Sequence, residues 1–176
     1  SGASAAALVS MVASLTIGKK GYEDSEVTMK EVYEQANIYK EKFIGYIDAD
    51  SESFHGVMDA FKLPKNNDEE KAIRKETIQN ALKHASETPY KIAENAYRLM
   101  DYSEKAVEHG NKNAVTDAAV SAMMARSAVL SALCNVKINL SSINDSEFVA
   151  TFEKKVSLLE TNVVEREIRI LSKVVI

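Results

Sequence analysis

The sequence contains few residues that interrupt helices, with only 2 prolines and 6 glycines among its 176 residues. Proline and glycine disfavour the interior of a helix, so their scarcity favours long, continuous helices. The chain also has a single cysteine, Cys134, which lies in an apolar segment. One cysteine excludes an intramolecular disulfide and suits a reducing compartment.

Features of nucleic-acid-binding and membrane proteins are missing as well. The formal net charge is -4, and no basic face with interleaved aromatic residues is present, which argues against a nucleic-acid partner. No run of about 18 apolar residues marks a bilayer-spanning helix. The alanine-rich start lacks the basic segment of a signal peptide. We therefore expect a cytoplasmic protein with neither nucleic acid nor membrane among its partners.

Apolar residues recur at helical spacing in almost every segment, and no strand pattern interrupts them. This pattern predicts an all-α protein, one domain over residues 1–176, built as a bundle of five to six mostly antiparallel helices. The predicted helices span residues 2–17, 25–63, 69–87, 90–108, 113–140 and 146–176. Thr88-Pro89 is a common N-cap and N1 pair, so a new helix or a kink is predicted there.

The helix predicted from Asn113 to Leu140 is apolar on nearly every side, which indicates packing on several faces. One row of short polar side chains differs, because at about 3.6 residues per turn its members share a single stripe. They are Asp117, Ser121, Ser131, Asn135 and Asn139. The stripe has two interpretations: a polar seam satisfied by another helix, or the wall of a pocket for a flat, polar ligand.

The long second helix carries one carboxylate, Asp50, on its predicted apolar stripe between Ile47 and Phe54. The pattern therefore predicts that Asp50 points inward. A buried carboxylate costs several kcal/mol of solvation free energy unless it is paired or neutral. It is consequently either half of a structural ion pair or a group that transfers protons.

The segment from Glu52 to His55 matches the E-x-x-H motif of di-iron helical bundles. Such a site needs a second E-x-x-H and two further glutamates. The sequence has no second copy, so we expect no metal site.

A short basic loop, Lys19-Lys20, follows the first helix and precedes the acidic pair Glu23-Asp24. Cations at the end of a helix complement its dipole, and a solvated charge is the ordinary interpretation of a lysine pair. The alternative is a binding loop for an anionic ligand.

Several short motifs, taken in their order along the chain, form a recognisable set. They are residues 14–22 (SLTIGKKGY), 50–54 (DSESF), 58–64 (MDAFKLP), Thr88-Pro89, 110–113 (GNKN) with Thr116-Asp117, and 135–140 (NVKINL). This set resembles the cyclodeaminase/cyclohydrolase family, found as the C-terminal domain of formiminotransferase-cyclodeaminase and as stand-alone microbial proteins. The resemblance covers essentially the whole chain.

The resemblance implies an all-α homodimer that acts on one-carbon derivatives of tetrahydrofolate, with no metal and no cofactor beyond the substrate. One branch of the family hydrolyses 5,10-methenyl-tetrahydrofolate to 10-formyl-tetrahydrofolate. The other cyclises 5-formimino-tetrahydrofolate and releases ammonia. Both reactions pass through a tetrahedral carbon that bridges N5 and N10, so both need proton transfer and polar contacts to the pterin.

On this basis we predict catalytic roles for Asp50, Asp117 and Lys20, with one of the two carboxylates as the proton-transfer group. The predicted substrate-binding residues are Lys19, Ser121, Asn135 and Asn139. The amide and hydroxyl groups suit a flat heterocycle, and the basic loop suits the anionic glutamate tail.

The family's segment before the first helix is typically Pro-Gly-Gly-Gly-Ser, whereas this sequence begins Ser1-Gly2-Ala3-Ser4. We therefore expect this N-terminal segment to be incomplete and part of the site to be altered. A non-catalytic helical dimer, either folate-binding or a scaffold, is the competing interpretation. Its interface is predicted to be the Ala/Ser face of the first helix and the apolar terminal helix.

Overall fold

The computed structural model describes residues 1–175, which form five α-helices and no β-strand. The helices are α1 (Gly2–Ser14), α2 (Glu26–Lys62), α3 (Asp68–His109), α4 (Val115–Leu140) and α5 (Ser146–Leu171). Short 3₁₀ turns, Glu23–Ser25 and Lys112–Ala114, lead into α2 and α4. The predicted all-α class is confirmed. Ile176, the last residue of the predicted domain and terminal helix, lies outside the described residues.

Side-chain caps mark the starts of two of the five α-helices. Asn67 accepts a hydrogen bond from the Glu70 amide at 2.8 Å and starts α3. Asp145 accepts one from the Phe148 amide at 3.0 Å and starts α5. Asn and Asp are preferred at this position because their side-chain oxygens accept from the first free amides of a helix. The central helix starts later than predicted, because Asn113 lies inside the 3₁₀ turn that precedes α4.

Two helices are shorter than the sequence pattern predicts. The first ends at Ser14 rather than at residue 17, and a turn follows that contains Gly18 at φ 71°. The last ends at Leu171, so the β-branched residues Val174 and Val175 do not extend it.

Helix α4 is the centre of the bundle and packs against α1, α3 and α5. Its long cations, Arg126 and Lys137, pair with Glu167 and Glu160 of α5. The stretch Lys112–Leu140 is long and apolar enough to cross a membrane by length and composition, which the sequence analysis did not predict. Half of its apolar window is buried inside the protein.

The exposed face of α2 differs most from the prediction. Ile47 and Phe54 are 67% and 60% exposed, and Asp50 between them is exposed too. Helix α1 runs antiparallel to α2, and Gly2 packs against the ring of Phe43. Beyond Phe43, the buried residues of α2 lie on the side that meets α3. The buried residues of that half are Ser53, Val57 and Ala60.

Helix α3 runs without interruption through Pro89, so the predicted start of a new helix at Thr88 is wrong. Proline lacks the N–H that would satisfy the carbonyl four residues earlier, which here belongs to Ala85. Asn139 of α4 supplies the missing donor, since its Nδ2 donates to the Ala85 carbonyl at 2.7 Å. The neighbouring helix therefore repairs the hydrogen bond that Pro89 removes.

A double-mutant cycle tests this repair. We expect Asn139→Leu to lower the free energy of unfolding by roughly 1–3 kcal/mol, because the Ala85 carbonyl loses its partner. In a Pro89→Ala background the new N–H satisfies that carbonyl, so the same change should cost clearly less. Urea denaturation of the four proteins measures the coupling. An equal cost in both backgrounds would contradict it.

Charged residues hold the end of α5 against α3. Glu104 accepts hydrogen bonds from Arg169 and Lys173 at 3.2 and 2.6 Å, and the nearly buried Arg166 pairs with Glu104 and Asp101. Partial burial would raise the pKa of Glu104, but the bonds from Lys173 and Arg169 outweigh it and hold that pKa at about 2. Ionised Glu104 therefore stabilises the folded state.

Because the pKa of Glu104 is lower in the folded state, its contribution is complete above about pH 4.5 and is lost as the pH falls towards 2. We expect Glu104→Gln to lower the free energy of unfolding at pH 7 by about 2 kcal/mol. The difference in the free energy of unfolding between variant and parent should become smaller as the pH falls from 5 to 3. Glu153→Gln, at an exposed position of α5, is the control. Parallel stability curves would argue against the role of Glu104.

Candidate functional site

A cleft of about 430 Å³ opens at the start of α1, between α2, α3 and α4. A second cleft of about 550 Å³ adjoins it and shares Asp50, Ser51 and Asn135 with it. We call the two together the Asp50 cleft. Its further lining includes Ser1, Gly2, Tyr46, Ile47, Phe54, Pro89, Ser131 and Asn139.

Small residues make the room for this cleft. Gly2 has no side chain, and a Cβ there would lie 2.8 Å from the Phe43 ring, so glycine lets α1 start close against α2. On α4 the lining residues Ala128 and Ala132 are short, which leaves space above α3. The cleft therefore depends on glycine at position 2 and on alanine on the central helix.

Two polar groups of the cleft are without protein partners. Among residues 1–175, neither the Asp50 carboxylate nor the Asn135 amide forms a side-chain hydrogen bond or an ion pair. Asp50 uses only its backbone carbonyl, which accepts from Ser53 Oγ at 2.8 Å. The predicted burial of Asp50 is wrong, so its carboxylate does not pay the solvation penalty expected of a core position. Both groups are available to a ligand.

The polar stripe of α4 divides into the two predicted interpretations. Ser121 is fully buried, and its hydroxyl lies 2.8 Å from Ser103 Oγ and donates to the Ala5 carbonyl at 3.0 Å. This half of the stripe is a satisfied seam between helices, and Ser121 offers no exposed surface to a ligand. The other half, from Ser131 to Asn139, faces the cleft. Asn139 belongs to both halves, because it lines the cleft while its amide nitrogen donates to the Ala85 carbonyl of α3.

The remaining predicted residues lie at the other end of the bundle. Asp117 is half-buried in the first turn of α4, 18 residues before Asn135, which is about 27 Å along the helix. Lys19 donates to Asn111 Oδ1 at 2.7 Å, and its neighbour Lys20 is exposed. The fold of one chain therefore does not bring Lys19, Lys20 and Asp117 to the Asp50 cleft.

Two of the sequence motifs meet in a hydrogen-bonded pair of loops. The amide of Asn111 donates to Thr16 Oγ1 at 2.8 Å, and the amide of Lys112 donates to Tyr22 Oη at 2.9 Å. Gly110 precedes this junction, at a position where a Cβ would overlap the Ala106 carbonyl oxygen. The contact of Lys19 with Asn111 belongs to the same junction, which gives that lysine a structural role.

Tyr46 is a cleft residue that sequence reasoning missed. It is half-buried, lies one turn before Asp50 on α2, and also lines a cleft of about 530 Å³ between α2 and α3. Its hydroxyl oxygen accepts from Asn95 Nδ2 at 2.8 Å. Burial, followed by the charge of Glu94, raises the pKa of Tyr46. The spacing of four residues from Asp50 was the available signal.

Metal ligands do not cluster in the part of the chain that the structure describes: no group of three or more His, Cys, Asp or Glu side chains is positioned to hold an ion. The polar groups of the Asp50 cleft are one carboxylate, one amide and hydroxyls. These groups can accept and donate protons and hydrogen bonds to a polar ligand.

Comparison with known proteins places the chain among folate enzymes. The family model described as formiminotransferase-cyclodeaminase matches residues 1–158. The chain is 43% identical to methenyltetrahydrofolate cyclohydrolase of Methylorubrum extorquens over 148 residues, which are 84% of this chain and 71% of that protein. It is 34% identical to formimidoyltransferase-cyclodeaminase of Gallus gallus, covering 88% of this chain but only 28% of that longer protein.

A solved structure agrees with the sequence comparisons. The crystal structure of formiminotetrahydrofolate cyclodeaminase from Thermotoga maritima matches with a TM-score of 0.85 and 31% identity. The match covers 98% of this chain and 82% of that one. The chain therefore belongs to the formiminotransferase-cyclodeaminase family.

Proposed function

We propose that the protein is a cytoplasmic enzyme that acts on one-carbon tetrahydrofolates in the Asp50 cleft. Its favoured reaction is the hydrolysis of 5,10-methenyl-tetrahydrofolate to 10-formyl-tetrahydrofolate, and the cyclisation of 5-formimino-tetrahydrofolate with release of ammonia is the second candidate. The observation that carries the proposal is that the side chains of Asp50 and Asn135 line the same cleft and have no protein partners among the described residues.

The relatives favour hydrolysis over cyclisation. The relative named as a cyclohydrolase is 43% identical, whereas the chicken formimidoyltransferase-cyclodeaminase is 34% identical and extends far beyond this chain. Both reactions share a tetrahedral carbon between N5 and N10, so one site suits either. The two reactions differ in the small molecule involved. Water is added in the hydrolysis, and ammonia is released in the cyclisation.

The cleft supports this chemistry in size and in polarity. Volumes of about 430 and 550 Å³ fall in the usual range of small-molecule sites. The Asp50 carboxylate can accept a proton from attacking water. The Asn135 amide can both donate to and accept from the heterocycle. The exposed side chains of Ile47 and Phe54 offer apolar contact to its flat faces.

Binding of the anionic glutamate tail by the basic loop Lys19-Lys20 stays a prediction. Helix α1 has 13 residues and so separates Lys19 and Lys20 from Gly2 at the cleft by about 20 Å. Within one chain, only an extended anionic glutamate tail would span that distance. The predicted role of Asp117 is likewise not supported by proximity to the cleft.

Replacement of Asp50 tests the proposed proton transfer. Asp50→Asn keeps the shape of the side chain but removes its basicity, so turnover of the methenyl substrate should fall by about 10²–10⁴-fold. Because Asp50 is exposed, the melting temperature should stay close to that of the parent. Loss of the methenyl absorbance measures turnover. Asp48→Asn, at an exposed position two residues earlier on the same helix, is the matched control.

The outcomes of this assay separate the candidate functions. A stable Asp50→Asn variant with near-normal turnover would show that Asp50 does not transfer the proton. Asp117 would then be the remaining predicted carboxylate. A parent that binds the folate derivative without turning it over would instead favour the non-catalytic folate-binding dimer. Offering the 5-formimino substrate in parallel, with ammonia as the readout, distinguishes the two reactions.

We also propose that the enzyme is a homodimer, through a face that differs in part from the predicted one. The apolar line of α5 is not available, because Phe152, Val156 and Val163 are buried within the chain. Uncharged residues are instead exposed on the antiparallel neighbours α1 and α4. They are Ser4, Ala7, Met11, Leu15, Val120, Met123, Ser127, Cys134 and Ile138. An uncharged, partly apolar face suits a self-complementary interface.

Light scattering at micromolar protein tests the assembly, and we expect the mass of a dimer. Met123→Glu places a charge on the proposed face and should shift the mass towards a monomer. Ile168→Glu is the control, since Ile168 is 62% exposed on α5, a helix that contributes no residue to the proposed face. A monomeric parent, or equal behaviour of the two variants, would contradict the proposed interface.

A further inference from the structure

The hydrogen bonds around Tyr46 exclude Asn95 as the acceptor of its hydroxyl proton. The side chain of Asn95, on α3, donates through Nδ2 to two oxygens: the backbone carbonyl of Lys91 at 2.7 Å and Tyr46 Oη at 2.8 Å. A carbonyl oxygen can only accept, so the amide group that faces Lys91 has to be the NH₂. The Tyr46 oxygen is therefore an acceptor in its contact with Asn95.

The phenolic hydrogen of Tyr46 then has to point elsewhere. Within residues 1–175, no protein group accepts a hydrogen bond from Tyr46 Oη. The side chain lines the Asp50 cleft, where Asp50 lies four residues further along the same helix face. The raised pKa of Tyr46 keeps the hydroxyl protonated at neutral pH. A donor whose proton has no partner in the protein therefore lies where the Asp50 cleft meets the cleft between α2 and α3.

We propose that the Tyr46 hydroxyl donates a hydrogen bond to the ligand in the Asp50 cleft, and that Asn95 positions it by occupying the oxygen on its other side. The inference rests on the proposed function, since it takes that ligand to be a folate derivative. The group that accepts the bond is a carbonyl oxygen or an unprotonated ring nitrogen of the heterocycle. Tyr46 is thus a binding residue, and Asn95 is a positioning residue.

Three variants separate a donated hydrogen bond from a structural role. Tyr46→Phe removes only the hydroxyl, and we expect a loss of about tenfold in kcat/KM for the methenyl substrate. Asn95→Asp keeps that hydroxyl but replaces the donor with a carboxylate, which draws the phenolic proton to itself and away from the ligand. We expect a similar loss from Asn95→Asp. The double variant should lose no more than either single one.

The matched control is Tyr90→Phe. Tyr90 is also half-buried on α3, but its ring packs against Phe152 outside the Asp50 cleft. This variant should leave kcat/KM unchanged. Melting temperatures of all variants show whether a loss reflects folding. If Asn95→Asp fails to fold, Asn95→Ala replaces it, with a smaller expected loss because the hydroxyl is then free to rotate towards the ligand.

The results support or overturn the inference as follows. Similar, non-additive losses for Tyr46→Phe and Asn95→Asp, with melting temperatures near that of the parent, support it. A Tyr46→Phe variant within twofold of the parent, or losses that multiply in the double variant, overturn it while the proposed function stands. A parent that neither binds nor turns over either folate derivative overturns both proposals, so the parent is measured first.

Discussion

The close contact between Gly2 of α1 and the Phe43 ring of α2 is the constraint on which the site depends. A Cβ at Gly2 would lie 2.8 Å from that ring, so glycine is what lets the two helices lie this close together. Ala128 and Ala132 of the central helix α4 line the same cleft and are also short. Asp50 and Asn135 lie in the space that these small residues leave between the helices.

Features that depend on neighbours in sequence were predictable. The caps Asn67 and Asp145 act on amides three residues away, and the all-α class follows from helical spacing along the chain. Two of the motif segments, residues 50–54 and 135–140, do meet at one cleft. The predicted inward orientation of Asp50 was wrong. Its stripe is apolar in sequence, but burial on this half of α2 follows the side that packs against α3, which depends on tertiary structure.

Pro89 is a second position at which tertiary structure overrides a local sequence pattern. Read locally, Thr88-Pro89 starts a helix, and proline inside a helix costs a backbone hydrogen bond. The structure keeps the helix intact because Asn139, 50 residues further along the chain, donates to the carbonyl that Pro89 leaves without a partner. A polar residue on the predicted stripe therefore served the fold, and no local pattern distinguishes it from Asn135, which faces the cleft with its amide free.

The candidate site is best defined by the polar groups that form no hydrogen bond with the rest of the protein. Ser121 and Asn139 are used by the fold, as are Lys19 and Asn111 at the far junction. The Asp50 carboxylate, the Asn135 amide and the phenolic proton of Tyr46 have no such use within the described residues. Asp50 and Asn135 are exposed, so their lack of protein partners makes them available to a ligand but does not require one. Tyr46 is half-buried, and polar groups in such positions are normally satisfied. Because the Lys91 carbonyl can only accept, the phenolic proton of Tyr46 does not point at Asn95. Substrate recognition in this cleft therefore depends on hydrogen bonds within α3 as much as on residues that touch the ligand.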